Sequence, residues 1–407
     1  MENINKSRLF IAASISLIVT AMTFGIRAGI LSQLGTDFAL TDTQLGFVNS
    51  MAFLGFPIAT VIGGLVYNSV GPRKLMLVAF VSHLLGIILT IFAGGYWTLL
   101  ISTFFIGFAN GSVEAACNPM ITDMYTKNRT TMLNRFHMWF PGGIVLGALI
   151  SKFMTDAHMS WQMQIGIMLV PTLIYGVLFM GQKFPKSENI VSDTSENIKT
   201  LFTPLFIFIF ICMSLTAITE FGPQQWIEKI LAKSGTSPML ILAMITGLMA
   251  VGRYFAGSVL KKVNPPTILW VSSIIAVIAI YTMSIATGGM VYVGAVLFAI
   301  GVMYFWPTMI GFVAEYIPKS GALGMSILGG IGMFSTAIWQ PIIGSWLDSA
   351  REVKIASGMS IADAELASGQ ATLGNMIYFP LVLVFLFGLL FMMRKKIEEG
   401  RVPQDTH

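Results

Sequence analysis

Long apolar runs alternate with short polar breaks along this chain. A helix needs about 20 mostly apolar residues to cross a bilayer. Such runs lie at 9–31, 44–66, 74–93, 97–124, 131–153 and 160–181, and again at 204–231, 238–260, 267–287, 290–316, 321–347 and 374–393. The polar stretch KFPKSENIVSDTSENIKT, 183–200, separates six runs from six. The expected fold is an all-α integral membrane protein with twelve transmembrane helices in two six-helix bundles. Residues 1–182 form the first bundle, 183–203 a central loop, and 204–407 the second bundle with a polar tail. The segment after the eleventh run, 348–373, reads as a longer loop with a short surface helix that serves as a lid or gate.

Charge orders the breaks. One set of ends carries Lys6, Arg8, Arg73, Lys74, Lys127, Arg129, Lys183, Lys186, Lys199, Lys261, Lys262, Lys319 and Arg394 to Lys396. The opposite breaks hold Asp37, Asp42 and Asp156, with Lys152, Lys229, Lys233, Arg351 and Lys354 against the trend. The positive-inside bias places both termini and the central loop in the cytoplasm of a cell whose inner membrane holds the chain. The sequon at Asn128 then lies on the cytoplasmic side and reads as a chance match. The first run has no small-residue cleavage site after it, so it reads as a helix and not a signal peptide.

Composition agrees with the pattern. Only 11% of residues are charged and 55% are hydrophobic, whereas a soluble domain carries roughly 25% charged residues. The net charge of +5 is spread over the breaks as a topology signal, so no nucleic-acid surface is implied. Cys117 and Cys212 both fall in apolar runs, which implies neither a disulfide framework nor a metal site. No phosphate-binding loop or hydrolase motif is present, which argues against ATP as the energy source and against an enzyme. No cofactor is expected. The expected partners are the lipid bilayer and a small-molecule substrate, with the chain acting as a monomer.

The two halves echo each other. Gly64-Leu-Val66-Tyr-Asn-Ser-Val70-Gly-Pro72 follows the second run and Gly257-Ser-Val259-Leu-Lys-Lys-Val263-Asn-Pro265 follows the eighth. Both fit Gly-x-Val-x-x-x-Val-x-Pro. Asp123 ends the fourth run and Glu315 ends the tenth, each followed by a Lys and then a glycine-rich helix: FPGGIVLG, 140–147, and ILGGIGMF, 327–334. Repeated halves are how many secondary transporters build two bundles that rock about a midplane site.

On these features the chain resembles the major facilitator superfamily over nearly its whole length. The loop signature Gly-x-x-x-Asp-x-x-Gly-Arg-Arg survives as Gly64, Asn68, Gly71, Pro72, Arg73 and Lys74, without its acid and its first arginine. The stretch Glu114-Ala-Ala-Cys-Asn118-Pro119 is similar to the Glu-x-Ala-Ala-Asn-Pro segment of fucose- and glucose-type sugar proton symporters. Leu133-Asn134 and Trp306-Pro307-Thr308 resemble further segments of that group. The resemblance implies a proton-coupled sugar importer with Glu114 as the coupling acid.

An ionisable group inside a bilayer costs about 2.5–3.5 kcal/mol or more, so each one is a functional candidate. Glu114, Glu220 and His137 are the candidates for proton coupling. Apolar surroundings favour a neutral carboxyl, which can then load and release a proton, and histidine changes charge near neutral pH. H⁺ is the expected coupling ion and Na⁺ the alternative. Arg27 can hold an anionic substrate or neutralise Glu114 or Glu220. Gln224, Gln225 and Trp226 follow Glu220 on the same helix, where Pro223 can free carbonyls into a cavity. Amides bond hydroxyls in both directions and an indole packs on a pyranose face. Asn118, Trp139, Trp306, Trp339 and Gln340 complete the substrate-binding candidates. Arg73, Asp123, Arg253 and Glu315 are candidates for a cytoplasmic gate, whereas His83 reads as a packing residue. Three functions compete: a proton-coupled sugar importer, an importer of an organic or sugar acid anchored by Arg27, and a drug or metabolite exporter.

Overall fold

The computed structural model describes residues 4–125, 129–185, 194–256 and 262–399. The sequon at Asn128, Lys127, Lys186, Lys261, most of the polar stretch after residue 185, and Gly257 and Val259 of the repeat lie outside the described residues. Among the described residues the chain is helical, without a strand.

Eleven helices are long and apolar enough to cross a membrane. They are α1 (Lys6–Asp37), α2 (Asp42–Val70), α3 (Pro72–Ile91), α4 (Tyr96–Met124), α5 (Arg135–Asp156), α6 (Trp161–Phe179), α7 (Pro204–Gln225), α9 (Pro265–Ile285), α10 (Gly289–Tyr316), α11 (Leu323–Ala356) and α12 (Ile361–Met392). The remaining apolar run is the shorter helix α8 (Pro238–Tyr254). Side chains such as Leu65, Phe92, Trp97 and Phe385 stand exposed on the outside of the bundle, as lipid-facing residues do.

Local chemistry sets the helix ends. Thr41 and Gln44 form a reciprocal capping box at the start of α2. Pro72 and Pro265 open α3 and α9, where a missing N–H removes no helical bond. The proline that closes the repeated loop pattern therefore has the same job in both halves. The expectation for 348–373 is corrected: α11 runs on to Ala356 and α12 begins at Ile361, with only a turn through Gly358 (φ +90°) between them. The stretch lost hydropathy but kept helix-forming Ala, Arg, Glu and Lys, so it is two helix ends and not a lid.

The packing follows the repeat. Inside the first half α2 and α3 lie on α4, and α1 lies on α5 and α6. Inside the second, α9 packs on α10 and α7 on α11. Two extensive contacts join the halves, α2 with α11 and α5 with α8, and α1 also touches α7. Moving each helix six places along the chain turns one of these interfaces into the other, as a pseudo-two-fold arrangement requires. Small residues allow the close approach. A methyl placed on Gly46 would come within 2.5 Å of the Gln340 carbonyl oxygen, and one on Gly344 within 2.1 Å of the Asp42 carbonyl oxygen.

The basic residues on the unexpected face now have an account. Lys229 Nζ is 3.0 Å from Asp42 Oδ1, Arg351 pairs with Asp42 and Asp348, Lys152 pairs with Asp156, and Lys233 is 3.8 Å from Glu365. Four of the five exceptions are thus neutralised locally. Asp348 also accepts the backbone N–H groups of Asp42 (3.0 Å) and Thr43 (2.8 Å) at the start of α2, where the helix dipole favours an anion. Glu228 accepts from the Ser32 hydroxyl at 2.6 Å. The bonds of Asp42 and Ser32 tie α1 and α2 of one half to α11 and to the short helix Ile227–Ile230 after α7 of the other, on the face opposite the termini.

Candidate functional site

Three polar clusters lie within the helices. The first is on α4 and α5. Glu114 and Asn118 are four residues apart and share one helix face. The Asn118 amide donates to Glu114 Oε2 at 2.7 Å, and His137 Nε2 lies 3.0 Å from Asn118 Oδ1. Because that oxygen accepts, Nε2 is the protonated ring nitrogen. The same Nε2 is 4.0 Å from Glu114 Oε2. The helical path breaks at Met138, which leaves His137 at the junction. Its side chain is 44% exposed against 11% for Glu114. The cluster therefore has a buried acid and a partly exposed histidine, held to the same amide and 4.0 Å from each other. Asn118 serves here as the bridge and not as a free substrate contact. Trp139 is two residues on and partly exposed.

The second cluster is sealed. Arg253 donates to Glu220 Oε1 at 2.9 Å and to the Met303 carbonyl at 2.9 Å. That carbonyl has no helical partner because residue 307 is a proline without an N–H, and α10 breaks at residues 303–304. Arg253 is thus engaged with Glu220 and with α10 inside the second half. Glu220 has a permanent cation where Glu114 has an amide and a histidine.

The third cluster joins the halves. Arg27 Nη2 donates to Gln225 Oε1 at 2.8 Å, and its guanidinium lies 5.1 Å and 5.4 Å from the ring centres of Phe24 and Phe53. Phe221 packs against both rings and meets Trp306 edge-on at 6.1 Å. The expected ion pair from Arg27 to Glu114 or Glu220 does not form. Arg27 is ten residues from the end of α1 at Asp37, and Glu114 is ten from the opposite-face end of α4 at Met124, so the two are at different depths.

The other candidates divide. Gln224 is buried with its amide 3.7 Å from the Met249 sulfur, and Trp226 is wholly buried with its indole N–H unpartnered. The space beside Pro223 is lined by Ile227, Ile230, Leu231, Ile245, Met283 and Leu373, which suits no polar solute. Trp339 packs on Trp346 and on Phe379 of α12, so it faces its neighbour helix and not the centre. Gln340 is fully buried, and neither atom of its amide is bonded. Arg73 is exposed at the start of α3, and Glu315 is half-buried at the end of α10. Asp123 accepts from the Tyr67 hydroxyl at 3.1 Å, so the α2–α3 loop is tied to α4 without the missing acid. His83 is held by Tyr175 and Asn110 at 2.9 Å each, and Asn110 in turn donates to Thr23. Asn49 and Asn110 escaped the sequence reading because a neutral amide in an apolar run is weaker evidence than a charge.

The Major Facilitator Superfamily family model matches residues 13–339. The chain belongs to the Major Facilitator Superfamily. The match and the apolar helices make it a multi-pass membrane protein of that superfamily. Its similarity to "Myo-inositol transporter 1" of Candida albicans is 25% identity over 181 residues, 42% of this chain and 33% of the relative. Its similarity to "Hexuronate transporter" of Bacillus subtilis is 24% over 276 residues, 62% of this chain and 64% of the relative. Each match thus spans less than two thirds of the relative's length, and the first only about a third. The superfamily fold extends over the whole molecule: a bacterial homologue of the lysosomal transporter Spinster, solved inward-facing and occupied, superposes with TM-score 0.80 at 15% identity over 98% of each chain.

Proposed function

We propose that this superfamily member imports a small hydroxyl-rich ring solute, a sugar or polyol, by proton symport and alternating access. The observation that carries the coupling is the Glu114–Asn118–His137 relay, in which a buried acid reaches an exposed base through one amide. Two relatives named for a cyclic polyol and a sugar acid support the solute class. The charge order puts the termini in the cytoplasm of a cell with this chain in its inner membrane. The ion pairs around Asp42 then close the outer face, while the relay is nearer the cytoplasm. A proton taken up outside and released inside would neutralise Glu114 in one state and charge it in the other.

The test is uptake in proteoliposomes. Dissipating the proton gradient abolishes accumulation, and Glu114→Gln keeps exchange of solute across the membrane but loses uphill uptake. Normal accumulation by Glu114→Gln would remove Glu114 from the coupling role.

A further inference from the structure

We propose that the solute carries a carboxylate and that Arg27 binds it, taking the place now held by the Gln225 amide oxygen. This rests on the proposed uptake of hydroxyl-rich ring compounds and narrows it to their acids.

The first argument is charge. A guanidinium brings a fixed positive charge and five N–H donors, and such a charge inside a membrane protein is normally matched by an anion or by backbone carbonyls. Arg27 is 5% exposed, yet its one hydrogen bond among the described residues goes to a neutral amide, and its Nε–H has no partner. The phenyl faces of Phe24 and Phe53 attract the cation without neutralising it. The candidate acids are already engaged: Glu220 with Arg253, Glu114 with Asn118 and His137, Glu228 with Ser32, and Asp42 with Lys229 and Arg351. The cation is left with none of these acids as its partner.

Position is the second argument. The repeat exchanges α1 with α7, so the Arg27–Gln225 bond crosses between equivalent helices of the two halves. That is next to the pseudo-two-fold axis, where a solute must be handed from one half to the other. A bidentate carboxylate suits the planar fork of arginine far better than a single amide oxygen. On binding it would release Gln225, and with it a link between the halves.

Unused polar groups supply the third argument. Asn49 and Gln340 are each fully buried, and none of their four amide atoms is bonded. Both lie where α2 crosses α11, beside the Ser50 hydroxyl bond to the Ala337 carbonyl at 2.7 Å. Asn49 is one helical turn from Phe53, a ring that packs on Arg27. Buried amides without partners are costly, and ring hydroxyls of a solute can satisfy donor and acceptor alike. A cation next to spare amides describes a sugar acid better than a neutral sugar or an apolar drug.

The experiment titrates the purified full-length protein with D-glucuronate, D-galacturonate, D-glucose and D-galactose at pH 7, where both acids are ionised. At least one uronate is expected to bind ten times more tightly than its parent hexose. Arg27→Gln should erase that preference. Gln225→Glu should also erase it, by building a counter-ion into the site, and it carries the test if Arg27→Gln does not fold. Equal binding of acids and parent hexoses overturns the assignment, as does failure of both uronates to bind or an unchanged preference in Gln225→Glu. Uptake into proteoliposomes separates the two proposals. Proton-driven hexose uptake with no preference for acids sinks the carboxylate site and leaves transport intact. Tight uronate binding lost in Gln225→Glu, but with no flux, does the reverse.

Discussion

Glu114 and Glu220 are both carboxylates within membrane-spanning helices, and the fold treats them in opposite ways. Glu220 faces Arg253 at 2.9 Å, a cation that never gives up its proton, and one of its oxygens has no further bond. Glu114 faces an amide at 2.7 Å and, at 4.0 Å, a histidine that can be neutral. Neutralising Glu220 would strand a partly buried guanidinium, whereas neutralising Glu114 strands no permanent cation. The same residue type is therefore held by a cation in one half and by an amide and a histidine in the other, which is the contrast the proposed proton coupling uses.

Breaking the Glu220 pair should have the largest effect. Removing one partner of a buried ion pair leaves the other uncompensated and costs about 3–5 kcal/mol, so Glu220→Ala should unfold at clearly lower temperature in a thermal-shift assay. Retention of wild-type stability would show that the pair is not the anchor described. Glu114→Gln should sit at the other end of the stability comparison. It preserves the hydrogen-bonding shape and should lie within about 1 kcal/mol of wild type, while uphill accumulation is lost in proteoliposomes. If both variants lose stability alike, the contrast between the carboxylates fails.

Smaller effects sharpen it. His137→Ala should slow proton-driven uptake yet leave solute binding unchanged by calorimetry, because the histidine touches the relay and not Arg27. Asp42→Asn should loosen the outer ion pairs and raise the labelling rate of cysteines introduced in the α7–α8 turn, by a few-fold. The smallest change belongs to Trp339→Phe. Its ring packs on α12, so uptake kinetics should match wild type within error.

Much of the architecture was legible in advance. Apolar runs of spanning length reveal helices because lipid offers no partner to an open backbone, and the paired Pro72 and Pro265 show the repeat before any contact is known. Charged residues in those runs stand out because charge in lipid is rare. Their partners were not legible. Arg27 looked suited to Glu114 or Glu220, but depth and helix rotation gave it Gln225 instead. Arg253 was a gate candidate, and its bonds to Glu220 and to the Met303 carbonyl, left open by Pro307, were not readable from the chain. The segment 348–373 read as a loop because hydropathy dropped, although helix propensity did not.

The sequence by itself determined the membrane class, the helix order, the repeated halves and the presence of a few ionisable groups in the apolar core. Those follow from local composition and periodicity, which act residue by residue. Only the tertiary structure decided which of those groups meet. It joined Glu114, Asn118 and His137, locked Glu220 to Arg253, and left Arg27 facing an amide. Pairing depends on where helices distant in the chain cross and how they are rotated, and small residues such as Gly46 and Gly344 allow one such crossing, of α2 with α11, to be close.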